Sequence, residues 1–501
     1  MATATEQSKI KDSSYFSSRL RQNVDQLMDI LSAGGLDNPL DAIEQCSYLL
    51  FLRLLTEKDE ALASLDRRYK SIFSGPWARF SWGSFVTLAG DELFNVVHDA
   101  IEKLHELPGL MDTGKLLFSR ATLKIRDLAT LHTVVRSIDE LDLAAHDGHD
   151  FKLDTYDYLL SKLSASSARG PFRTPRHIID LVTALVDPQP GQRICDPACG
   201  TAEFLTSAFN HILRRHTKAT DLKRGLTDGA LLKPAQWKFL EQEAFTGFES
   251  NAGLVKLASF NLHLHQLEQA HIFELNPLTT GFGTYPGRLF DVMLGSHPFS
   301  SSMLDEDILP DLNYKLGTRA TELLFLKWFI DHLAPNGRAG VIVPNGVLFE
   351  PANAAASLRQ LLLMECDLQA VISFPNGVFT SNSGAAALIF QRGRSTRSVW
   401  FYDLRADGFS PDDQRTPVEA NDIPDLLAKW PRREEGPNSH RVAMERIHEN
   451  GWSLVADRYR PAATTVADQE TPMDILNDVL KLESEIILRL NALLLQISGK
   501  K

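Results

Sequence analysis

The sequence has 501 residues, 44 % of them hydrophobic and 23 % charged, which suits a globular protein of about two to four domains. It holds no apolar stretch of about eighteen residues and no apolar segment near its polar start, which argues against a membrane span and a signal peptide and for a cytoplasmic location. The formal charge of -12 argues against a chain that binds DNA phosphates without a partner, although a partner could supply the phosphate contacts.

Four cysteines, Cys46, Cys195, Cys199 and Cys366, are scattered without the paired spacing of a zinc site. We therefore expect neither a metal site nor structural disulfides. Cys195 and Cys199 are interpreted as small apolar side chains, and His263 and His265 as structural residues of an apolar helix.

The first part of the chain is helical in pattern. From residue 17 to about 163, apolar residues recur at helical spacing, as at Leu49, Leu52 and Leu55. The small, polar segment 164–170 is typical of a linker. The pattern predicts an N-terminal helical domain over residues 1–165.

Short apolar runs then alternate with helical stretches, which indicates a parallel sheet flanked by helices. This α/β domain is predicted over residues 166–395. Its candidate strands lie at 193–195, 244–248, 290–294, 339–343, 368–374 and 385–390.

The last part of the chain is less regular. Residues 396–470 are rich in turn residues, contain one strand-like run at 399–402, and are predicted to form an appended irregular segment. Residues 471–501 carry apolar side chains three or four positions apart, from Ile475 to Ile497, which predicts an amphipathic helix. This helix could dock on a partner or pack back on its own domain.

A glycine turn joins the first predicted strand to a helix in Asp196-Pro197-Ala198-Cys199-Gly200-Thr201. At such a strand end, backbone amides and a helix start can meet an anionic group, such as the carboxylate of a methionine moiety. About fifty residues further on, Glu249 ends another apolar strand, where an acid can bind ribose hydroxyls. Each feature alone could be a matter of packing or exposure, but together they favour a nucleoside cofactor.

A family resemblance rests on several blocks in this order: Phe172-Arg173-Thr174-Pro175, the glycine turn at 196–201, and Gly247-Phe248-Glu249. The runs 337–349, 374–379 and 402–408 and the N-terminal helical region add to it. The chain resembles the adenine-N6 methyltransferases that form the modification subunits of type I restriction systems. This resemblance implies a Rossmann-like domain that binds S-adenosylmethionine.

The resemblance also implies roles for individual residues. Phe172, Thr174 and Pro175 would line the methionine end of the cofactor, and Phe204 would pack nearby. Residues Asp196, Ala198, Gly200 and Thr201 would lie under that end. Glu249 would bind the ribose, and Asn276 stands near the adenine, where the family usually has an aspartate.

The family's Asn-Pro-Pro-Phe loop is replaced here by Ser296-His297-Pro298-Phe299. That loop receives a target adenine flipped out of the DNA duplex. Its first side chain and second carbonyl accept hydrogen bonds from the amino group, and its aromatic ring stacks on the base. A serine hydroxyl can accept a hydrogen bond, whereas a histidine frees a backbone angle and adds bulk at the lip of the pocket. Two interpretations follow. The chain is a methyltransferase, or it is a catalytically impaired, cofactor-binding structural or sensing subunit of a DNA-binding defence complex.

Partners follow from the resemblance as well. It implies one specificity subunit that reads double-stranded DNA, two copies of this chain, and a restriction nuclease or translocase subunit. This chain has no Walker-type phosphate loop, so translocation would belong to another subunit. Methylation of RNA or of a protein glutamine is a further alternative, because related loops act on those amino groups.

Overall fold

The computed structural model describes residues 4–143, 151–165, 174–284, 287, 289–297, 299, 301–313, 316–379, 384–412, 415–460 and 483. Met1–Ala456 form one compact unit and Asp457–Lys501 a second. In the second unit, Arg460 forms an ion pair with Asp457, with 3.4 Å between Nε and Oδ1. None of the helices within these ranges has the length and apolar character that crossing a bilayer requires.

The N-terminal part is helical. Its helices are α1 (Ala4–Ala33), α2 (Pro39–Leu65), α3 (Trp82–Phe85), α4 (Gly90–Lys103), α5 (Asp112–Leu117), α6 (Leu128–Asp139) and α7 (Phe151–Ala165), with 3-10 turns at Gly75–Phe80 and Leu104–Glu106. The start of α2 shows how the sequence sets a helix boundary, since the Asn38 side chain accepts a hydrogen bond from the Leu40 amide and Pro39 begins the helix. Residues 42–52 of α2 are all buried, so the middle of this helix passes through the core of this part.

A mixed sheet follows the helical part within the first unit. Its strands are β1 (Ile194–Asp196), β2 (Phe245–Glu249), β3 (His271–Glu274), β4 (Phe290–Ser296), β5 (Leu333–Pro344), β6 (Cys366–Ser373), β7 (Ala385–Arg392), β8 (Ser398–Asp403) and β11 (Ser439–Ala443), and a separate pair consists of β9 (Asp407–Phe409) and β10 (Pro417–Asn421). The order across the sheet is β11-β8-β6-β7-β5-β4-β1-β2-β3. The seven predicted strands are confirmed. The prediction did not include β3, β9, β10 or β11. The four residues of β3 carry no apolar run and are mostly exposed.

The prediction of a parallel sheet was wrong at β7, which runs antiparallel to both β5 and β6. A parallel return needs a crossover, usually a helix, and none is found among the described residues between β6 and β7. The chain therefore reverses direction there. β11 is also antiparallel to its neighbour, β8.

Helices cover the sheet. They are α8 (Arg176–Val186), α9 (Glu203–Arg215), α10 (Ala219–Leu222), α11 (Pro234–Gln242), α12 (Ala252–Leu264), α13 (Pro310–Asn313), α14 (Thr321–His332), α15 (Gly346–Phe349), α16 (Asn353–Glu365), α17 (Ile423–Lys429) and α18 (Met444–Glu449), with 3-10 turns at Thr280–Thr284, Asp305–Asp307 and Ala456–Arg458. Helices α8, α9, α11, α12 and α17 share a second hydrophobic core with the sheet.

The description of residues 396–470 as irregular needs correction. β8 and β11 extend the main sheet, and α17 packs Leu426 into its core. The run at 399–402 was predicted and is β8, whereas β11 and α17 were missed because short elements carry little pattern of their own and are stabilised by partners distant in sequence. The predicted C-terminal helix at 471–501 lies outside the described residues except for Glu483, and the division into domains stays a prediction.

Helix α12 joins the two cores. Its Leu257 and Phe260 belong to the core of the N-terminal helices, and the Tyr156 hydroxyl donates to the Leu257 carbonyl at 3.1 Å. His263, also on α12, lies against the Phe51 ring at 4.7 Å, and burial lowers its pKa to about 4. The structural interpretation of His263 is consistent with this packing.

Candidate functional site

Three polar residues end three adjacent strands of the sheet. Asp196 ends β1, Glu249 ends β2 and Ser296 ends β4, and the order β4-β1-β2 makes these strands neighbours. Since the strands are parallel, their carboxyl ends meet at one edge of the sheet, where ligands of such sheets bind. The fold thus brings together residues that are a hundred positions apart.

The glycine turn is held by both carboxylates. Asp196 Oδ1 accepts a hydrogen bond from the Ala198 amide at 3.0 Å, and Glu249 Oε2 accepts one from the Gly200 amide at 3.1 Å. Glu249 Oε1 also accepts from the Asn251 amide at 2.8 Å. Gly200 has φ +53°, and a Cβ there would face open space. The turn therefore borders free volume beside two acidic side chains.

Burial perturbs both acids. It raises the pKa of Asp196 to about 8, and the nearby negative charge of Glu249 raises it further. Burial likewise raises the pKa of Glu249. A desolvated carboxylate gains most from a cation or hydroxyl donors placed against its remaining lone pairs. This edge consequently fits a ligand that carries positive charge and hydroxyl groups.

The turn packs tightly on its neighbouring strand. A Cβ at Gly247 would lie 2.8 Å from Cys199 Sγ. Only a glycine at position 247 therefore allows the turn to lie this close to β2. Cys195 and Cys199 are fully buried, and burial raises the pKa of both thiols. Both fill space as neutral apolar groups, in agreement with the interpretation from sequence.

The other predicted cofactor residues occupy varied positions. Thr174 is buried just ahead of α8, and Pro175 caps that helix without a side-chain hydrogen bond. The Thr201 carbonyl accepts from Asn261 Nδ2 at 2.7 Å, and Phe204 is buried in the sheet core. Phe172 lies outside the described residues, as does Pro298 of the predicted loop.

Asn276 follows β3 at the same edge, and its side-chain oxygen accepts a hydrogen bond from the Leu278 amide at 3.0 Å. The oxygen is thus engaged in a local turn. The amide nitrogen keeps two donors for a ligand.

The predicted catalytic loop begins where β4 passes Asp196. A Cβ at Gly295 would lie 3.0 Å from Asp196 Oδ1, so β4 and the glycine turn approach closely. Ser296 Oγ is buried and has no hydrogen-bond partner among the described residues. A buried polar group is normally paired, so this hydroxyl is suited to meet a ligand group.

The sequence suggested that His297 adds bulk at the lip of a pocket, but the structure places its ring elsewhere. The residue is 1 % exposed, and its ring stacks on Phe325 with 5.2 Å between centroids and 4° between planes. Phe325 belongs to α14, and the apolar surface of this helix stabilises the buried position of the His297 ring. Phe299 is half-buried and lies 6.1 Å from the Phe379 ring, which brings the 374–379 run beside the loop.

Two polar residues at this edge were not predicted from the sequence as site residues. Asn345 follows β5, next to β4, and its Oδ1 is buried without a partner in the described part of the chain. Asp407 is buried and binds both Arg415 and His177 Nε2, the latter at 2.8 Å. Asn345 could have been noticed as an amide directly after an apolar strand, whereas the Asp407 cluster depends on long-range contacts.

Comparisons with known proteins agree with this geometry. A family model described as N-6 DNA methylase matches residues 147–468. The methylase subunit of the type I restriction enzyme EcoEI from Escherichia coli is 28 % identical over 454 residues, which cover 86 % of this chain and 88 % of the relative.

Solved structures show the same fold. The methyltransferase subunit of a type I restriction-modification system from Streptococcus thermophilus is 20 % identical, with a TM-score of 0.68 over 89 % of this chain and 100 % of that one. A chain from a study of assembly and conformational transition of the type I R-M system is 25 % identical, with a TM-score of 0.65 over 96 % and 99 % of the two chains. The predicted α/β fold class is confirmed.

Proposed function

This chain belongs to the N-6 DNA methylase family, and on that premise we propose that it is the modification subunit of a type I restriction system, a DNA methyltransferase that acts on N6 of adenine. One observation carries the proposal. The range that matches the family contains the glycine turn, Glu249 and the 296–299 loop, and the strands that end at Asp196, Glu249 and Ser296 are neighbours in the sheet.

The family's cofactor is S-adenosylmethionine, which supplies an electrophilic methyl group on a sulfonium. The residues of this edge fit it. Asp196 offers a buried carboxylate to the cationic methionine end, and Glu249 keeps lone pairs for the ribose hydroxyls although its two oxygens accept backbone amides. Thr174, Pro175 and Phe172 would border the methionine end, and Asn276 would donate to the adenine.

The loop would hold the target base. Ser296 Oγ accepts one hydrogen bond from the amino group of a flipped adenine, and the His297 carbonyl accepts the other. Phe299 stacks on the base. Because the His297 ring packs on Phe325, its bulk stays out of the pocket, which favours catalysis over the alternative of an impaired structural or sensing subunit.

Methyl transfer tests this assignment. Ser296→Ala removes an acceptor and should lower the transfer of tritiated methyl groups to unmethylated DNA about tenfold, which corresponds to about 1.4 kcal/mol of transition-state stabilisation. Phe299→Ala should lower it further by removing the stacking surface. Ser64→Ala, at an exposed position on α2, is the control and should leave the rate unchanged.

The assay uses the complex that this chain forms with the proteins encoded beside it in the genome. An inactive wild type would favour the impaired subunit. Wild-type activity that survives both loop substitutions would show that the loop does not hold the base, and modification of RNA or protein instead of adenine-containing DNA would point to the other substrate classes.

We further propose the assembly. The relatives are subunits of type I restriction enzymes, and this chain would work in the cytoplasm with a specificity subunit, a second copy of itself and a restriction subunit. The acidic charge of -12 agrees with a partner that supplies the grip on DNA.

The C-terminal segment 471–501 is the proposed docking helix. Truncation after Asp468 keeps the whole range that matches the family, so the shortened chain should bind S-adenosylmethionine in calorimetry yet fail to co-purify with the specificity subunit. Co-purification at the full-length yield would show that docking uses another surface.

A further inference from the structure

A cavity of about 570 Å³ lies far from the proposed catalytic edge. It opens where the parallel strands β6 and β8 begin, which is the edge of the sheet opposite to Asp196 and Ser296. Its lining comes from β6, β8, β11 and the segments between β7 and β8 and after α17. No residue of the proposed methyl-transfer site contributes to it.

The lining is strongly basic. It contains four arginines and one acid, namely Arg394, Arg397, Arg433, Arg441 and Asp367. This concentration is unusual in a chain whose acids outnumber its bases by twelve. Within the described part of the chain, no carboxylate forms an ion pair with the guanidinium of Arg394 or Arg397, and both side chains are exposed. Their charges are therefore available to an anion.

Arg433 is held in place before any ligand arrives. Its Nη2 donates to Gln369 Oε1 at 2.7 Å, and its guanidinium lies 4.7 Å from the centre of the Trp430 ring. Its backbone has φ +51°, a left-handed conformation that is rare outside glycine. Nε is buried with no hydrogen-bond partner among the described residues.

The arginines also repel one another. Burial lowers the pKa of Arg433, the negative charge of Asp367 opposes this, and the positive charge of Arg441 has a smaller lowering effect. Like charges gathered around one cavity cost free energy unless an anion joins them. Arginine forks match the paired oxygens of phosphate better than any other side chain.

We propose that this cavity binds the phosphate groups of a small anionic ligand. Its volume lies within the range of small-molecule sites, about 300 to 1,000 Å³. The wall residue Trp400 is 1 % exposed, so it offers no face on which a base could stack. The cavity thus recognises phosphate rather than a nucleoside, and it faces away from the edge at which DNA would present its adenine.

Calorimetry with inorganic pyrophosphate and the full-length chain tests the site. Arg394→Gln with Arg397→Gln should raise the Kd at least tenfold, whereas the charge-preserving double change to lysine should raise it less. Arg126→Gln with Arg136→Gln removes the same charge from exposed positions of the helical part and should leave the Kd unchanged. Pyrophosphate should also raise the Tm of the wild type and not that of the glutamine double variant.

Three results would overturn the proposal. Millimolar pyrophosphate could give no heat with wild type, or the glutamine double variant could bind as tightly as wild type. In the third result, a short duplex oligonucleotide binds and its binding requires Arg394 and Arg397, whereas pyrophosphate does not bind. The site would then recognise a nucleic-acid backbone.

Discussion

At the scale of single residues, Asp196 has the most unusual environment at the proposed site. It is 1 % exposed, and it shares the edge of the sheet with a second acid, Glu249. In the absence of a bound cation, burial and this neighbour favour its protonated form, with a pKa of about 8. The residue that would receive a cationic ligand is therefore a source of instability in the empty protein.

This has a measurable consequence for stability. The folded chain holds the Asp196 proton up to a pKa of about 8, against an ordinary value of 3.8. The folded state thus binds more protons between these values, and the free energy of unfolding falls as pH rises through the window, by at most about 1.4 kcal/mol per pH unit.

Asp196→Asn should remove this dependence, since asparagine keeps an oxygen for the Ala198 amide and carries no charge. The advantage of the variant over wild type in urea unfolding should be larger at pH 8 than at pH 5. Parallel stability curves for the two proteins would show that Asp196 is not desolvated as described. A cationic ligand at saturating concentration should reduce the difference in unfolding free energy between the variant and wild type.

At the scale of elements, the contact between the glycine turn and β2 sets the shape of the site. Gly247 lies in the strand, and the turn carries Cys199 directly onto it. An added Cβ at 247 would approach Cys199 Sγ to 2.8 Å and Ile272 Cδ1 to 2.6 Å. The turn can keep its position only if residue 247 has no side chain.

Gly247→Ala should therefore push the turn away from the strand. We expect a loss of about 1 to 3 kcal/mol in the free energy of unfolding and weaker binding of S-adenosylmethionine, because the Gly200 amide would move relative to Glu249. Gly83→Ala is a suitable control, since a Cβ there meets nothing within 4 Å. Equal cofactor affinity in the two variants would argue against a role of the turn in binding.

At the scale of the whole molecule, a buried ion pair connects the helical part to the sheet. Lys256 on α12 binds Glu44 on α2, with 2.6 Å between Nζ and Oε1, and both side chains are largely buried. Lys124 is a second cation for Glu44, at 3.2 Å. Burial alone would raise the pKa of Glu44, but the hydrogen bonds from Lys256 and Tyr48 hold it below its usual value.

Lys256→Met should leave the Glu44 charge poorly compensated and cost about 3 kcal/mol in the free energy of unfolding. Adding Glu44→Gln should restore most of the loss, since the buried charge is then gone. Lys58→Met breaks the more exposed pair with Glu268 between the same two parts and should cost less than about 1 kcal/mol. Similar losses for the two lysine variants in chemical denaturation would contradict the special cost of the buried pair.

The sequence by itself determined the elements and the motifs. Apolar runs gave the seven predicted strands because buried strands must be apolar along their length, and the glycine turn and Glu249 were visible as polar residues at strand ends. The roles assigned to the site residues stay predictions. Neither β3 nor β11 could be foreseen, since short strands at sheet edges carry little pattern of their own and are stabilised by their partners.

Only the tertiary structure decided the rest. Strand order placed Asp196, Glu249 and Ser296 at one edge, and packing against Phe325 turned the His297 ring inward. The same holds for the pair of Glu44 with Lys256, 212 positions apart, and for the arginines that share one cavity. Local patterns fix what each segment forms, whereas these features depend on contacts between distant segments, which a linear sequence does not display.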